Sequence, residues 1–267
     1  MAEQIIDKLM RLKASARTPL LFIGHGNPMN AVLDNQFSKK WEMVGQELVK
    51  PKAIIVMSAH WTTRGSYITD MPKPKMIYDF YGFPKEMYKL DYPAPGDPKL
   101  AKDVSKLIDG MQLDHEWGLD HGAWSVLMRL FPLANIPTLQ LSIDYNQSPQ
   151  EQYEMMSQIK ILREKGVLFL GSGNIVHKLR EVRMDNKPYD WSIEFDQISK
   201  ELIEKGDYKK LIQYEKLGKA AAMAIPTDDH YRPMLLTLGL THPGEKPTFF
   251  NEEIDAGSIS MRSFVMS

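Results

Sequence analysis

The sequence predicts an α/β fold, a single-domain sandwich with a largely parallel central sheet flanked by helices. Three observations lead there. Several short runs are close to continuously apolar, as strands covered on both faces are. Stretches of helical spacing alternate with them, the pattern of a parallel sheet with crossover helices. No repeat, low-complexity tract or linker divides the chain, so residues 1–267 are read as one domain.

In chain order, MAEQIIDKLMRLK mixes polar and apolar residues without an uninterrupted hydrophobic region. It reads as a short amphipathic helix, not a signal peptide. Leu20–Gly24 is the first strand, Gln36–Val49 a helix and Ala53–Ser58 the second strand. Met71–Pro98 is dense in Pro, Tyr and Phe and follows neither period, so it is expected to be an ordered loop over a site. Pro98–Ile108 repeats Leu100, Val104, Leu107 and Ile108 at helical spacing. Thr138–Ile143 and Val167–Gly171 are further strands, with helices expected at Pro149–Lys165 and Ile193–Lys205.

Composition narrows the function classes. The 33 basic and 34 acidic residues leave a formal net charge of -1, which gives no electrostatic reason to expect nucleic acid or an anionic membrane surface as partner. No apolar run approaches membrane-spanning length. A small-molecule substrate and a cytoplasmic location are the expectations, and nothing in the sequence specifies an oligomeric state. The chain has no cysteine, which removes disulfides, thiolate catalysis and cysteine-type zinc sites together.

Histidine carries the chemistry. His25 in LLFIGHGNP, His60 in AIIVMSAHW and His177 in VLFLGSGNIVH lie where apolar runs break into glycine or polar residues. His230, in IPTDDHYRP, lies outside the strand pattern. The carboxyl ends of strands in an open α/β sheet form the ligand crevice, so histidines from separate strands converge there. Converging neutral imidazoles suit zinc or iron. Each also has a plainer reading as a hydrogen-bonded structural residue. His177 stands in a loop leading to a helix, or on a capping turn facing solvent. His230 follows Asp228 and Asp229 in a helix-start signature where Asp serves as the cap. His115 and His121 flank DHEWGLDHGAW, as orienters of catalysis or as core residues near Trp117 and Trp124. His242, before Pro243, reads as loop without a role.

Seven blocks then occur in order: GHGNPMNAV around His25, SAHW around His60, MIYDFYGFP at Met76–Pro84, YPAPG at Tyr92–Gly96, DHGAWSVL at Asp120–Leu127, GSGNIVHKL at Gly171–Leu179 and PTDDHYRPML at Pro226–Leu235. The set resembles the class III extradiol ring-cleavage dioxygenases, most closely their 4,5-DOPA extradiol dioxygenase branch. The resemblance implies a metal-dependent enzyme that opens a catechol such as DOPA with molecular oxygen to a semialdehyde. It implies one divalent metal ion per chain, zinc or ferrous iron, bound by His25, His60 and His230. His177 stands beside the metal, as a further ligand or as the acid–base group, and His121 resembles the family's second pocket histidine. Tyr78, Phe80, Tyr81 and Phe83 either wall the substrate ring or form an aromatic mini-core under the loop.

One departure bears on the metal. Better-known members hold iron with two histidines and a carboxylate, whereas the third position here is His230, and a neutral third ligand shifts the preference toward zinc. Asp228 and Asp229 are alternative carboxylate donors, or they cap the helix and orient a histidine. Two other classes fit the same residues: a zinc-dependent hydrolase that makes hydroxide from bound water, and a non-catalytic metal-binding protein on this fold.

Overall fold

The computed structural model describes residues 17–267, so the amphipathic helix expected at the N-terminus lies outside the described residues. Eight strands form the main sheet: β1 (Leu20–Gly24), β2 (Ala53–Thr63), β3 (Tyr67–Thr69), β4 (Gln112–Asp114), β5 (Thr138–Asp144), β6 (Val167–Gly173), β7 (Pro247–Phe250) and β8 (Ser263–Met266). Their order is β4-β3-β5-β2-β6-β1-β8-β7. The central β5-β2-β6-β1 block is parallel throughout. At its borders β3 runs antiparallel to β5, β8 antiparallel to β1, and β7 antiparallel to β8.

Alternation along the strands decides which face each side chain enters. Leu20, Phe22, Ile55, Met57, Leu139, Leu141 and Phe169 point to one face. There they pack under α2 (Pro98–Leu107), α4 (Pro149–Ser157), α5 (Asp190–Lys205), α6 (Tyr208–Ile212), α7 (Lys219–Ala224) and α8 (Arg232–Gly239). Leu21, Ile23, Ile54, Val56, Leu168 and Leu170 point to the other, under α1 (Gln36–Glu47) and α3 (His121–Leu130). Helix starts are set locally. Asn35 and Ser38 make a capping box on α1, Ser148 and Glu151 one on α4, and Asp97 caps α2 ahead of Pro98.

Several boundaries differ from the sequence expectation. The second strand does not stop at Ser58. A bulge separates Met57 from Thr62, after which pairing with β5 resumes, so His60 and Trp61 lie within β2. The helix expected over Pro149–Lys165 ends at Ser157, and a 3-10 turn covers Lys160–Lys165. That turn brings fully buried Arg163 onto Glu245, at 2.6 and 2.8 Å, with Thr18 O and Leu240 O as further acceptors. The helix expected from Ile193 begins at Asp190, just after Pro188, which disfavours helix before it and leaves the acidic residue in the first turn.

Met71–Pro98 is a loop held at both ends. Lys75–Met76 pairs with Gly118–Leu119, Trp124 Nε1 donates to Ile77 O at 3.0 Å, and Tyr92 Oη donates to Phe131 O at 3.0 Å. The C-terminal strands and the hairpin Ile254–Asp255/Ile259–Ser260 had no counterpart in the sequence reading, because runs of two to four residues carry too little pattern. Among the described residues no helix is long and apolar enough to cross a membrane.

Candidate metal centre

His25 follows β1 directly, where its backbone N–H donates to Gly173 O at 3.1 Å. The chain turns away at Gly26, whose φ of 57° suits glycine, and Asn30 Nδ2 donates to His25 O at 3.0 Å. His60 is aimed by the β2 bulge, a device that re-directs a side chain without ending its strand. His230 lies in the turn before α8, with its carbonyl accepting from Asn174 N at 2.9 Å. Their ring centroids lie 5.0 to 5.3 Å apart, and one nitrogen from each falls within 4.8 Å of the other two.

Each ring's Nδ1 faces a different partner. Ser172 Oγ donates to Gly122 O at 2.6 Å, so it accepts from His25 Nδ1–H at 3.0 Å. Asp79 Oδ2 lies 3.3 Å from His60 Nδ1. Asp229 Oδ2 accepts from His230 Nδ1. These contacts favour the Nδ1–H tautomer and turn Nε2 inward as a lone-pair donor. His25 Nε2 and His60 Nε2 are 3.3 Å apart, close to the ~3.3 Å that two imidazoles make when tetrahedrally bound to zinc at about 2.05 Å.

Electrostatics agree with neutral donors. Burial first, then the neighbouring imidazoles, hold the pKa of His25 and His60 well below the ordinary value. Burial, followed by His230, lowers His177 to about 2. A histidine must be deprotonated to donate to a metal, and burial already favours that form at His25 and His60. Burial works to raise Asp229, but its hydrogen bond with His230 prevails and holds it below the usual carboxylate range.

His121 opens α3, where Asp120 caps the helix by accepting from Ala123 N at 3.1 Å. Buried Asp120 also accepts from Ser58 Oγ at 2.6 Å and pairs with Gln140. Asp79 reaches His121 from the aromatic loop. Its Oδ1 accepts the backbone N–H at 2.9 Å, and its Oδ2 is 3.0 Å from Nδ1. The His121 and His60 rings are 3.8 Å apart. His177 stacks on His230 at 3.5 Å, with 9° between the planes.

These five histidines line one cavity of about 510 Å³ with Asp79, Phe80, Tyr81, Phe83, Leu179, Val182 and Asp255 among its walls. Tyr78 lies behind them, its hydroxyl donating to Leu90 O at 2.5 Å. Tyr81 is 91% exposed at the rim.

Two local expectations change. His177 leads into no helix. It bridges Ile259 across a short ladder and precedes a 3-10 turn at Leu179–Glu181, because β6 runs on to Gly173 and Ser258 and Ser260 hold the following backbone. Asp228 and Asp229 do not cap α8 through their side chains. Asp228 pairs with Arg232 Nε at 2.7 Å and Asp229 is taken by His230. His115 pairs with Asp70 and His242 lies beside Glu245, both away from the cavity. Sequence reasoning missed Asp79 and Ser172. A lone acid inside an aromatic loop and a serine between two strand-end glycines were the available signals.

Comparison with known proteins agrees with this geometry. Residues 17–258 match the family described as the catalytic LigB subunit of aromatic ring-opening dioxygenase. A protein named 4,5-DOPA dioxygenase extradiol from Escherichia coli K12 is 41% identical over 94% of this chain and 96% of its own length. One of the same name from Beta vulgaris is 33% identical, covering 91% of this chain and 94% of its own. The crystal structure of an uncharacterized protein, JW3007, from Escherichia coli K12 superposes with a TM-score of 0.83 at 37% identity, covering 94% of this chain and 100% of that one.

Proposed function

The chain belongs to the family of the catalytic LigB subunit of aromatic ring-opening dioxygenases, and from that membership we propose a DOPA-like catechol as its substrate, cleaved at a metal held by His25, His60 and His230. The enzyme is an extradiol dioxygenase. The carbon–carbon bond beside the two hydroxyl-bearing carbons breaks, and both oxygen atoms of O2 enter the ring-opened semialdehyde. The observation carrying the site assignment is that one ring nitrogen each of His25, His60 and His230 falls within 4.8 Å of the other two, with Ser172, Asp79 or Asp229 beside each Nδ1.

The donor set fits a divalent cation: three imidazoles, His25 and His230 buried and His60 partly so, with the His25 and His60 Nε2 atoms 3.3 Å apart. Held by these residues, a divalent metal would supply Lewis acidity toward the catechol hydroxyls and, if redox-active, a path for ring electrons to oxygen. The remaining work falls to side chains. Phe80 and Phe83 give the substrate ring an apolar wall that excludes water. His121, with Asp79 behind its Nδ1, offers Nε2 as acceptor of a phenolic proton and later returns it to a leaving oxygen. His177 stands outside the His25, His60 and His230 set, though its ring nitrogen also comes within 4.8 Å of Asp229 and His230 donors, and its stacking on His230 suits a group that contacts substrate.

Metal identity decides turnover, since zinc has no accessible redox change. Protein loaded anaerobically with ferrous iron should consume oxygen with DOPA and yield a yellow product, while zinc-loaded protein binds the catechol without turnover. If neither form consumes oxygen with any catechol and the zinc form hydrolyses an ester, the hydrolase reading replaces this one.

A further inference from the structure

At the histidine end of the cavity the carboxylates are engaged: Asp79 faces two imidazoles and Asp229 one. At the rim a third acid differs. Asp255 lines the same cavity and is half-buried. Three cations nearby in sequence are engaged elsewhere, while Arg180 and Lys187 are exposed and do not line the cavity. Arg183 pairs with Asp185 at 2.7 Å and lies over the Tyr189 ring. Lys178 lies 3.9 Å from Glu181 and over Trp191. Arg262 pairs with Asp196 and Glu252. Among the described residues, no lysine or arginine lines this cavity. Burial raises the Asp255 pKa against an opposing hydrogen bond from Ala256, as expected of a carboxylate without a cation.

The acid is also held firmly. Ser258 N donates to Asp255 O at 3.2 Å, and Ala256 and Gly257 have φ of 47° and 79°, which makes a type I′ turn. A non-glycine residue in that region is strained, and strain of this kind persists where surrounding structure over-determines it. Here Arg183 N donates to Ala256 O at 2.9 Å, Tyr189 N to Gly257 O at 3.1 Å and Ser192 Oγ to Gly257 O at 3.0 Å, while Asn186 Oδ1 accepts from Ala256 N.

We infer that Asp255 receives the ammonium group of an aminoalkyl catechol, so that the cavity selects catechols bearing a primary amine over those whose only charged substituent is a carboxylate. The inference rests on the catechol-cleavage reading above. A catechol chelated at the histidines with its ring against Phe80 carries its aliphatic tail toward the rim. An ammonium arriving there gains a charge-assisted hydrogen bond. A lone carboxylate meets a like charge and is rejected.

The test compares dopamine, uncharged ethylcatechol and dihydroxyphenylpropionate on iron-loaded wild type and Asp255→Asn. The variant is near-isosteric and leaves Asn186 Oδ1 as the acceptor for Ala256 N. The ratio of kcat/KM for dopamine to that for ethylcatechol should fall about tenfold, mainly through KM, and the discrimination against dihydroxyphenylpropionate should shrink. An unchanged ratio overturns the inference while leaving catechol cleavage standing. If wild type turns over neither these three nor DOPA, catechol cleavage fails instead, and calorimetry of dopamine against ethylcatechol on the zinc-loaded protein decides the role of Asp255. Amine-dependent binding lost in Asp255→Asn supports it, and equal binding of the two compounds overturns it.

Discussion

Asp79 accepts the His121 backbone N–H at Oδ1 over 2.9 Å, and its Oδ2 lies 3.0 Å from His121 Nδ1 without hydrogen-bond geometry. The same Oδ2 lies 3.3 Å from His60 Nδ1. One carboxylate from the aromatic loop therefore lies against both an imidazole proposed for proton transfer and another proposed for metal binding. Asp79→Asn should keep metal bound but lower kcat by about 10- to 100-fold, the usual cost of losing a partner that orients a ligand. Wild-type kcat in that variant, measured by oxygen uptake, would sink the assignment.

Ligand and proton-transfer roles separate on metal content. His25→Ala, His60→Ala and His230→Ala should each lose stoichiometric metal. His121→Ala and His177→Ala should retain it and lose turnover by about 100-fold or more, the scale of acid–base catalysis. Elemental analysis beside oxygen uptake checks both halves. Full occupancy in two of the first three variants would rule out the three-histidine site.

Gly122 has no room for a side chain. A Cβ there would sit 2.6 Å from Ser58 Oγ and 2.9 Å from His60 Cδ2. Gly122→Ala should cost about 1–3 kcal/mol, as overpacking does, and should weaken metal binding because His60 has to move. Chemical denaturation of the metal-free protein and a metal titration read the two effects separately. Unaltered metal affinity would show that His60 is not constrained from this side.

The Arg163–Glu245 pair ties the turn after α4 to the C-terminal segment. Arg163 is fully buried, so Glu245→Gln strands a charge and should cost about 3–5 kcal/mol. Burial works to raise the Glu245 carboxyl, but Arg163 and the His242 N–H hold it below its ordinary 4.5. Because the folded-state value is depressed, this contribution is complete above pH 4.5 and is lost as pH falls through the folded-state pKa. Denaturation midpoints of wild type should drop with acid below that point, and those of Glu245→Gln should drop less. Parallel curves would refute the linkage.

The central sheet was legible because strands buried on both faces become continuous apolar runs, as in Leu20–Gly24 and Val167–Gly173. His25 and His60 stood out for the same reason, as polar breaks at the end of such runs. The bulge that aims His60 was not legible, because it depends on pairing with Thr138–Asp144. Asp79 was hidden differently. Its partners at His60 and His121 come from β2 and α3, and no local pattern announces that meeting. The Arg163–Glu245 pair was hidden for a comparable reason, since Glu245 lies far along the chain.

The first strand has both of its sheet neighbours near or beyond the second half of the chain: β6 at Val167–Gly173 and β8 at Ser263–Met266. During synthesis β1 has no partner until Val167–Gly173 emerges, and its other edge stays open until Ser263–Met266 follows. His230 and Asp229 also emerge late, so metal capture follows folding and cannot template its early stages. Sheet closure over such sequence separations is slow and leaves adhesive edges exposed meanwhile. Chains truncated before Ser263 should therefore aggregate before they lose any catalytic residue.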